Sequence, residues 1–360
     1  MIQHRDVWRI DRAGSLHRLT RRTESIGKPG PGEARVRVEA VGLNFADVFA
    51  CLGLYSATPT GSFVPGLEFA GVIETIGPPL AAGQVPGPAG AASLVPGDRV
   101  MGVTRFGAYA TALNADVRCM RLAPGGWSAA QAAALPVQAL TAWYGLIVLG
   151  HVSRGEVVLV QSAAGGVGLN ALAILETLGA QAVAVVGRES KREVLARQCG
   201  LPARQVIVRN RRRFDRQLDE VLAVIGAPGL DAVFDAVQGP FFAPSYARLR
   251  PEGRYIVYGA ADFMAEGARP HYLQLAWRYL TRPRVDPLQM IADNRSVMGF
   301  NLIWLWNEVE RLPAAFEAIA RLVTQPPLVG STFPFAEAPA AMRHLQSGAS
   351  VGKVVLDCAR

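Results

Sequence analysis

The residues with the clearest chemical signature lie between Val157 and Leu172, in the stretch VVLVQSAAGGVGLNAL. Within AAGGVG, Ala163, Gly165 and Gly168 fit the GxGxxG spacing of a dinucleotide cradle, with Ala in the first place. Small residues are required there. The first closes a tight turn, the second lets backbone N–H groups approach a pyrophosphate, and the third packs a helix against a strand. A helix starting near Gly166 would aim its positive end at the anion. The candidate phosphate contacts are therefore Ala164, Gly165, Gly166, Val167 and Gly168. A turn made small by packing alone is the competing reading; the strand-like run before it and the helix-like run after it favour the cradle.

Which dinucleotide is a question of charge. Folds that bind NAD carry an acidic residue about 20 positions beyond the glycines, where it accepts from the adenosine ribose. Here the stretch is VVGRESKRE: Gly187 ends a strand and Arg188 stands where that acid would be. Lys191 follows within a turn, and Arg209 comes after the next strand, QVIV. Converging cations suit a 2′-phosphate, since charge-assisted contacts are strong in a partly buried pocket, so NADPH is expected over NADH. Glu189 dissents and is expected to face solvent. Arg192 and Arg211 to Arg213 read equally well as ordinary surface arginines.

Elements able to hold this turn follow along the chain. EVVLVQ, QAVAVVG, QVIV, DAVFDAV and RYIVYGA are near-continuous apolar strands separated by helical stretches such as GVGLNALAILETLG and SKREVLARQCG. That alternation predicts a parallel sheet covered on both faces. The first third is β-rich: RVRVEAVGL alternates apolar and polar side chains, GVIETIG and DRVMGV are further strands, and VPGD is a tight turn. The Pro/Gly/Ala-rich run from Pro78 to Gly97 reads as a surface loop, and SAAQAAALPVQALTAWYGLIVLG as helical with a break at Pro136. VERLPAAFEAIARLV is predicted helical and GKVVLD a final strand.

With 360 residues, half of them hydrophobic and 18% charged, the chain can build two domains with a large core. No apolar run approaches the roughly 20 residues of a membrane-spanning helix, and the N-terminus lacks a signal-peptide core, so a cytoplasmic location is expected. Cys51, Cys119, Cys199 and Cys358 are scattered singly, which suggests neither a disulfide framework nor a thiolate zinc site. The net charge of +8 comes from arginines spread along the chain. RNRRRFDR is the one dense cluster; with no nucleic-acid motif beside it, it reads as a solvated face or a pocket for a cofactor phosphate, and nucleic-acid binding is not expected.

An ordered set of stretches resembles the zinc-free quinone oxidoreductase branch of the medium-chain dehydrogenase/reductases: VGLNFADVFACLGLY (41–55), VPGLEFAGVIETIG (64–77), VPGDRVMG (95–102), GAYAT (107–111), LPVQALTAWYGL (135–146), VLVQSAAGGVGLNALAI (158–174) and GKVVL (352–356). NRSVMGFNLIWLW (294–306) is further similar to the synaptic vesicle membrane protein-like subgroup. The resemblance implies an α/β chain with a GroES-like β-rich catalytic domain (1–125 and 307–360) and a Rossmann domain with a doubly wound parallel sheet (126–306). Zinc enzymes of the superfamily place a Cys where this chain has Asn44 and a His where it has Leu67; only Glu68 remains, and the structural zinc lobe would fall in the Pro/Gly/Ala loop. Zinc needs three or four close N, S or carboxylate ligands, so no metal is expected. What is left is hydride transfer from NADPH to a quinone or an activated alkene.

By the same resemblance, Asn44 lies near the nicotinamide ribose and Tyr55 near the face where substrate enters, as a proton donor or as a gate. Thr141, Gly259, Ala260, Phe300, Leu302 and Lys353 are implied to lie near the coenzyme. Asp47 and Glu68 read as structural. VMGFNLIWLW is expected to be a long apolar strand at the end of the sheet, where relatives pair into a homodimer. Two readings of function stay open: a zinc-independent NADPH reductase of quinones or α,β-unsaturated carbonyls, with a biosynthetic enoyl reductase as its variant, and a weakly or non-catalytic NADPH-binding sensor or interaction protein.

Overall fold

The first two strands carry few apolar residues, and those that are buried, Val7, Trp8, Ile10 and Leu19, lie toward the end where the strands join, while charge pairs link the rest. In the computed structural model, which describes residues 3–79, 94–264 and 267–359, β1 (Gln3–Ile10) and β2 (Leu19–Ile26) pair antiparallel. Glu24 on β2 joins Arg5 at 2.8 Å and Arg9 at 2.7 Å on β1. The alternation of RVRVEAVGL becomes β3 (Glu33–Gly42), with Val36, Val38 and Ala40 buried and Arg37 exposed. After the helix α1 (Phe45–Cys51) come β4 (Glu68–Ile76), β5 (Arg99–Val103), β6 (Ala112–Asp116) and β7 (Met120–Leu122). The VPGD turn forms as read: Gly97 takes a φ of +96°, and the Asp98 carboxylate accepts from the Val95 N–H at 2.8 Å. Most of the Pro/Gly/Ala loop, residues 80–93, lies outside the described residues.

The run from Ser128 to Leu149 is helical in three pieces: α2 (Ala129–Ala133), α3 (Pro136–Trp143) and a π-helical turn, Tyr144–Leu149. Pro136 starts a new helix because its missing N–H is no loss in a first turn. One expectation is corrected here. Ala129–Leu149 spans 21 residues at a mean hydropathy of 1.6, long and apolar enough to cross a membrane, and is the one such run among the described residues. With 67% of that apolar stretch buried inside the protein, it has the packing of a core helix.

Strands and helices then alternate: β8 (Val157–Gln161), α4 (Gly166–Leu178), β9 (Gln181–Val186), α5 (Ser190–Cys199), β10 (Val206–Val208), α6 (Phe214–Ile225), β11 (Leu230–Asp235), α7 (Phe242–Ala247), β12 (Leu249–Val257), α8 (Tyr272–Leu280), α9 (Pro287–Asp293) and β13 (Ser296–Gly299). All six strands are parallel, in the spatial order β10-β9-β8-β11-β12-β13. This is the doubly wound order of the Rossmann fold, whose direction reverses beside its first strand. Val183, Val185, Leu159 and Val233 of the central strands pack with Phe214 and Leu218 of α6 on one face of the sheet.

The expected long strand at 297–306 is only the four residues of β13, followed by a 3-10 stretch, Leu302–Arg311. Its partner strand ends at Val257, whose carbonyl takes the last bond, from the Phe300 N–H at 3.1 Å. Beyond that point the chain has no ladder to join. The next helix, α10 (Leu312–Leu322), starts where Pro313 can enter a first turn, and α11 (Ala338–Gln346), β14 (Val329–Pro334) and β15 (Lys353–Asp357) close the chain.

Two compact units result. One holds the residues up to Val137, a short stretch ending at Pro270 and the chain from Ile303; the other holds Gln138–Met264 and His271–Leu302. In the first, a mixed sheet runs β14-β15-β3-β4-β5-β7, with β6 also on β3. In the second, the switch point of the parallel sheet is braced by a buried acid. Asp235, at the end of β11, accepts from the Tyr255 hydroxyl at 2.7 Å and from the N–H of Val237 at 2.6 Å. Tyr255→Phe keeps the ring and leaves that carboxylate oxygen with only the Gln238 N–H at 3.1 Å, so it should cost about 1–3 kcal/mol, read as a lower denaturant midpoint for unfolding.

Candidate functional site

Because the strand order reverses between β8 and β11, the loop after β8 opens into the crevice where such sheets take ligands. That loop is the glycine turn. Ser162 enters it at a φ of +54°, an uncommon angle for a residue with a side chain. Gly165 is the N-cap of α4, and the N–H groups of Gly166, Val167 and Gly168 form the first turn of that helix, which has no internal acceptors. A Cβ on Gly168 would lie 2.6 Å from the backbone of Ala163, so the third glycine is fixed by strand–helix packing. Ala164 is buried in the turn itself.

The cations stand at the ends of the neighbouring strands. Gly187 follows β9, and a Cβ placed on it would meet the Arg209 guanidinium at 3.4 Å. The Arg209 N–H is bonded to the Val186 carbonyl at 2.9 Å, so its side chain starts from the edge of the β9–β10 pair. Its Nη1 is buried without a hydrogen-bond partner, and its guanidinium lies 5.5 Å over the Phe241 ring. Lys191, on the first turn of α5, has its ammonium pushed down to about 8, first by burial and then by Arg188 and Arg209 close by. Arg188 and Arg209 thus both bear on the Lys191 ammonium. Glu189 is exposed and pairs with Arg192 at 2.9 Å, which removes that acid and that arginine from the group. Arg211, Arg212 and Arg213 are exposed. The small turn, the helix start and the clustered cations fit a phosphorylated dinucleotide.

Sequence reasoning missed the groups that shape the next loops. Gln238, at a φ of +65°, accepts no ladder bond but donates its amide to the Gly259 carbonyl at 2.7 Å, and its N–H reaches Asp235 at 3.1 Å. This clamp fixes Gly259 and Ala260, two of the expected coenzyme contacts. A Cβ on Gly259 would come within 2.8 Å of the Ala236 carbonyl. Phe300 packs at a tilt against Tyr144 at 5.1 Å and stacks with Tyr258 at 6.2 Å, while Leu302 opens the 3-10 stretch and Thr141 is buried on α3. A buried polar residue at a strand end, as in VFDAVQG, was the available signal for Asp235 and Gln238.

In the β-rich unit, Asn44, Asp47, Glu68 and Lys353 come together around one ion pair. Lys353, 1% exposed, bonds the Glu68 carboxylate and donates to the Asn44 side-chain oxygen at 2.9 Å. The Asn44 amide donates back to Glu68 at 2.8 Å, and the other Glu68 oxygen accepts from the Val137 N–H at 2.8 Å. Asn44 stands at the N-cap of α1, but its side chain is turned to this pair; the Asp47 carboxylate accepts from the Asn44 N–H at 2.8 Å. Burial is the main cause that raises the Asp47 carboxyl to about 7, and burial lowers the Lys353 ammonium against the pull of Glu68. A side chain on Gly42 would strike the Ala133 carbonyl, Glu68 and Lys353 within 2.7 Å, so this glycine makes the room. Tyr55 is half-buried, its carbonyl accepting from the Thr58 hydroxyl at 2.6 Å.

The donor set here is one for an ammonium ion. Glu68 is already matched on both oxygens, and no group of three or more His, Cys, Asp or Glu able to hold a metal occurs among the described residues. Lys353→Met would leave the Glu68 charge buried alone, an expected loss of about 3–5 kcal/mol. Adding Glu68→Gln should recover part of it, as read by unfolding midpoints of the single and double variants.

Comparison with known proteins fits both units. The family described as alcohol dehydrogenase GroES-like domain matches residues 30–142, and that described as zinc-binding dehydrogenase matches residues 201–356. The synaptic vesicle membrane protein VAT-1 homologue of Danio rerio is 34% identical over 335 residues, 92% of this chain and 65% of its own, so the chain spans just under two thirds of that relative. The Rattus norvegicus homologue is 33% identical over 331 residues, 91% of this chain and 77% of its own. Among solved structures, the quinone oxidoreductase of Thermus thermophilus, determined also in complex with NADPH, superposes with a TM-score of 0.71 at 29% identity, covering 98% of this chain and 99% of that one. The chain belongs to the zinc-free quinone oxidoreductase branch of the medium-chain dehydrogenase/reductase superfamily, on its VAT-1-like side.

Proposed function

We propose that this protein is an NADPH-dependent, metal-independent reductase that delivers hydride to a small electrophile, a quinone or an α,β-unsaturated carbonyl. The observation that carries the proposal is the meeting of Arg188, Lys191 and Arg209 at the ends of β9 and β10, where burial and then repulsion from the two arginines depress the Lys191 ammonium. A 2′-phosphate relieves that repulsion, and the buried, unmatched Nη1 of Arg209 gains an acceptor. The NADPH complex of the Thermus enzyme supports the same coenzyme.

In this reading the start of α4 holds the diphosphate, and Gly259, Ala260, Phe300, Leu302 and Thr141 hold the nicotinamide half. The bound coenzyme supplies the hydride. Asn44 contacts the nicotinamide ribose, and Lys353 is a positioning residue: together with Glu68 it fixes the Asn44 amide. Tyr55 gates the substrate or gives the proton that completes the reduction. With Glu68 committed to Lys353, Asn44 and Val137, activation of the acceptor rests on positioning and hydrogen bonding. A cytoplasmic enzyme is the setting that goes with this chemistry.

The test is NADPH consumption against 1,2-naphthoquinone, 9,10-phenanthrenequinone and 2-enals, with NADH in parallel. Turnover is expected for at least one class, with NADPH preferred. No turnover alongside tight NADPH binding would replace the enzyme by a non-catalytic NADPH binder. Lys191→Ala with Arg209→Ala should weaken NADPH by about ten- to a hundredfold and leave NADH nearly unchanged; equal losses would remove the phosphate pocket.

We further propose a homodimer through β13, an edge strand with one open side. Light scattering behind size exclusion should give twice the 38.5 kDa of the chain, and a clean monomer at micromolar concentration would refute the pairing.

A further inference from the structure

Each glycine of the phosphate turn has its own reason for lacking a side chain, and Gly166 has an unusual one. In the GxGxxG spacing it occupies an x position, where a side chain is permitted. Yet the space a Cβ would take at Gly166 is filled by the carboxamide of Gln138: Oε1 at 1.5 Å, the carbonyl carbon at 2.3 Å and Nε2 at 2.6 Å. By contrast, a Cβ on Gly165 would meet only the Ser162 carbonyl, at 3.3 Å. The glycine at 166 is there for Gln138.

That amide is poorly satisfied for so enclosed a group. Gln138 is 7% exposed, and its Oε1 is buried with no hydrogen-bond partner. It is not alone. Asn170 donates to the Gly166 carbonyl at 2.8 Å while its own Oδ1 is buried and unmatched, and Gln161, at the strand end leading into the turn, is fully buried with both ends unmatched. Buried polar atoms are matched in nearly all folded proteins, so a group of exceptions around one turn calls for a cause. A ligand with several acceptor oxygens is one. A carboxamide turned over about its last bond presents its NH2 where its oxygen stood. A neutral donor also suits this place: the helix start already supplies positive potential, and an empty site then buries no bare cation.

We infer that Gln138 is a further binding residue for the dinucleotide, its amide seated on Gly166 and donating to the diphosphate at the start of α4. The inference rests on the dinucleotide reading above but concerns the part of the coenzyme that NADPH and NADH share. It therefore separates from the 2′-phosphate pocket, which concerns only NADPH.

The experiment uses the full chain and three variants, Gln138→Met, Gly166→Ala and Gln138→Ala/Gly166→Ala. Dissociation constants for NADPH and NADH are measured by fluorescence titration, and melting temperatures without ligand. Gln138→Met, which keeps the bulk and loses the donor, should weaken both coenzymes alike by about tenfold with little change in melting temperature. Gly166→Ala should lower the melting temperature and weaken both coenzymes, because its methyl group evicts the amide. The double variant should regain the melting temperature but not the affinity. Gln138→Met binding both coenzymes as wild type does, with or without a fall in melting temperature, would make the amide a brace only and overturn the inference. Should that variant fail to fold, wild-type affinity in Gly166→Ala would overturn it equally. A wild-type protein that binds neither coenzyme would instead overturn the dinucleotide reading itself, and this inference with it.

Discussion

The carboxylate of Glu68, at the head of β4, has no exposed surface and accepts three hydrogen bonds: from the Lys353 ammonium of β15, from the Asn44 amide at the start of α1, and from the Val137 N–H in the first turn of α3. A buried carboxylate is tolerable only when both oxygens are matched and an opposite charge is near. Meeting that condition requires a strand, two helix starts and the last strand of the chain to converge. Gly42 has no side chain because any would strike this group. The arrangement fixes Asn44 from two sides, so the one polar side chain of the set that is not fully enclosed has a single orientation.

The parallel sheet solves its own version of the same difficulty. Its strand order leaves a crevice at the ends of β8 and β11, and the loops there must be rigid without ladder bonds to support them. Asp235 does this by gathering a tyrosine hydroxyl and two backbone N–H groups, and Gln238 extends the brace to Gly259. The aromatic stack of Phe234, Tyr258 and Phe300 backs the same loops from the apolar side. The loops proposed to receive the nicotinamide half are therefore held by side chains of the sheet itself.

How much of this was readable beforehand depends on the range of the interaction. The glycine turn, the parallel strands and the break at Pro136 follow from local pattern, because each is set by a few adjacent residues. Arg188, Lys191 and Arg209 were readable because strand order brings successive strand ends together. The β1–β2 ladder was not, since LTRRTESI lacks a buried face and is held by arginines on its partner. The strand expected through Trp306 stops at Gly299, as an apolar run does not reveal where the neighbouring strand ends. The links of Glu68 to Lys353, 285 positions away, and of Asn44 to Lys353, 309 positions away, leave no trace in local spacing. Gln138 was invisible for a related reason: only its contact with Gly166 gives it meaning.

Lys191 adds a thermodynamic consequence to the cation cluster. An ammonium held at about 8 by burial and by two guanidinium neighbours is only partly charged in mildly alkaline solution. In the proposed site, a phosphate dianion arriving among the three would restore its affinity for a proton, so capture in mildly alkaline solution would draw a proton from solvent. A phosphate monoester completes its own ionisation near pH 6. The lysine loses charge and the phosphate gains it as pH rises, and they bound a window, from about pH 6 to about pH 8, in which ligand and site both carry most of their charge. Below that window's upper edge the proposed site would take the phosphate with little proton uptake, and above it capture and protonation of Lys191 would be linked.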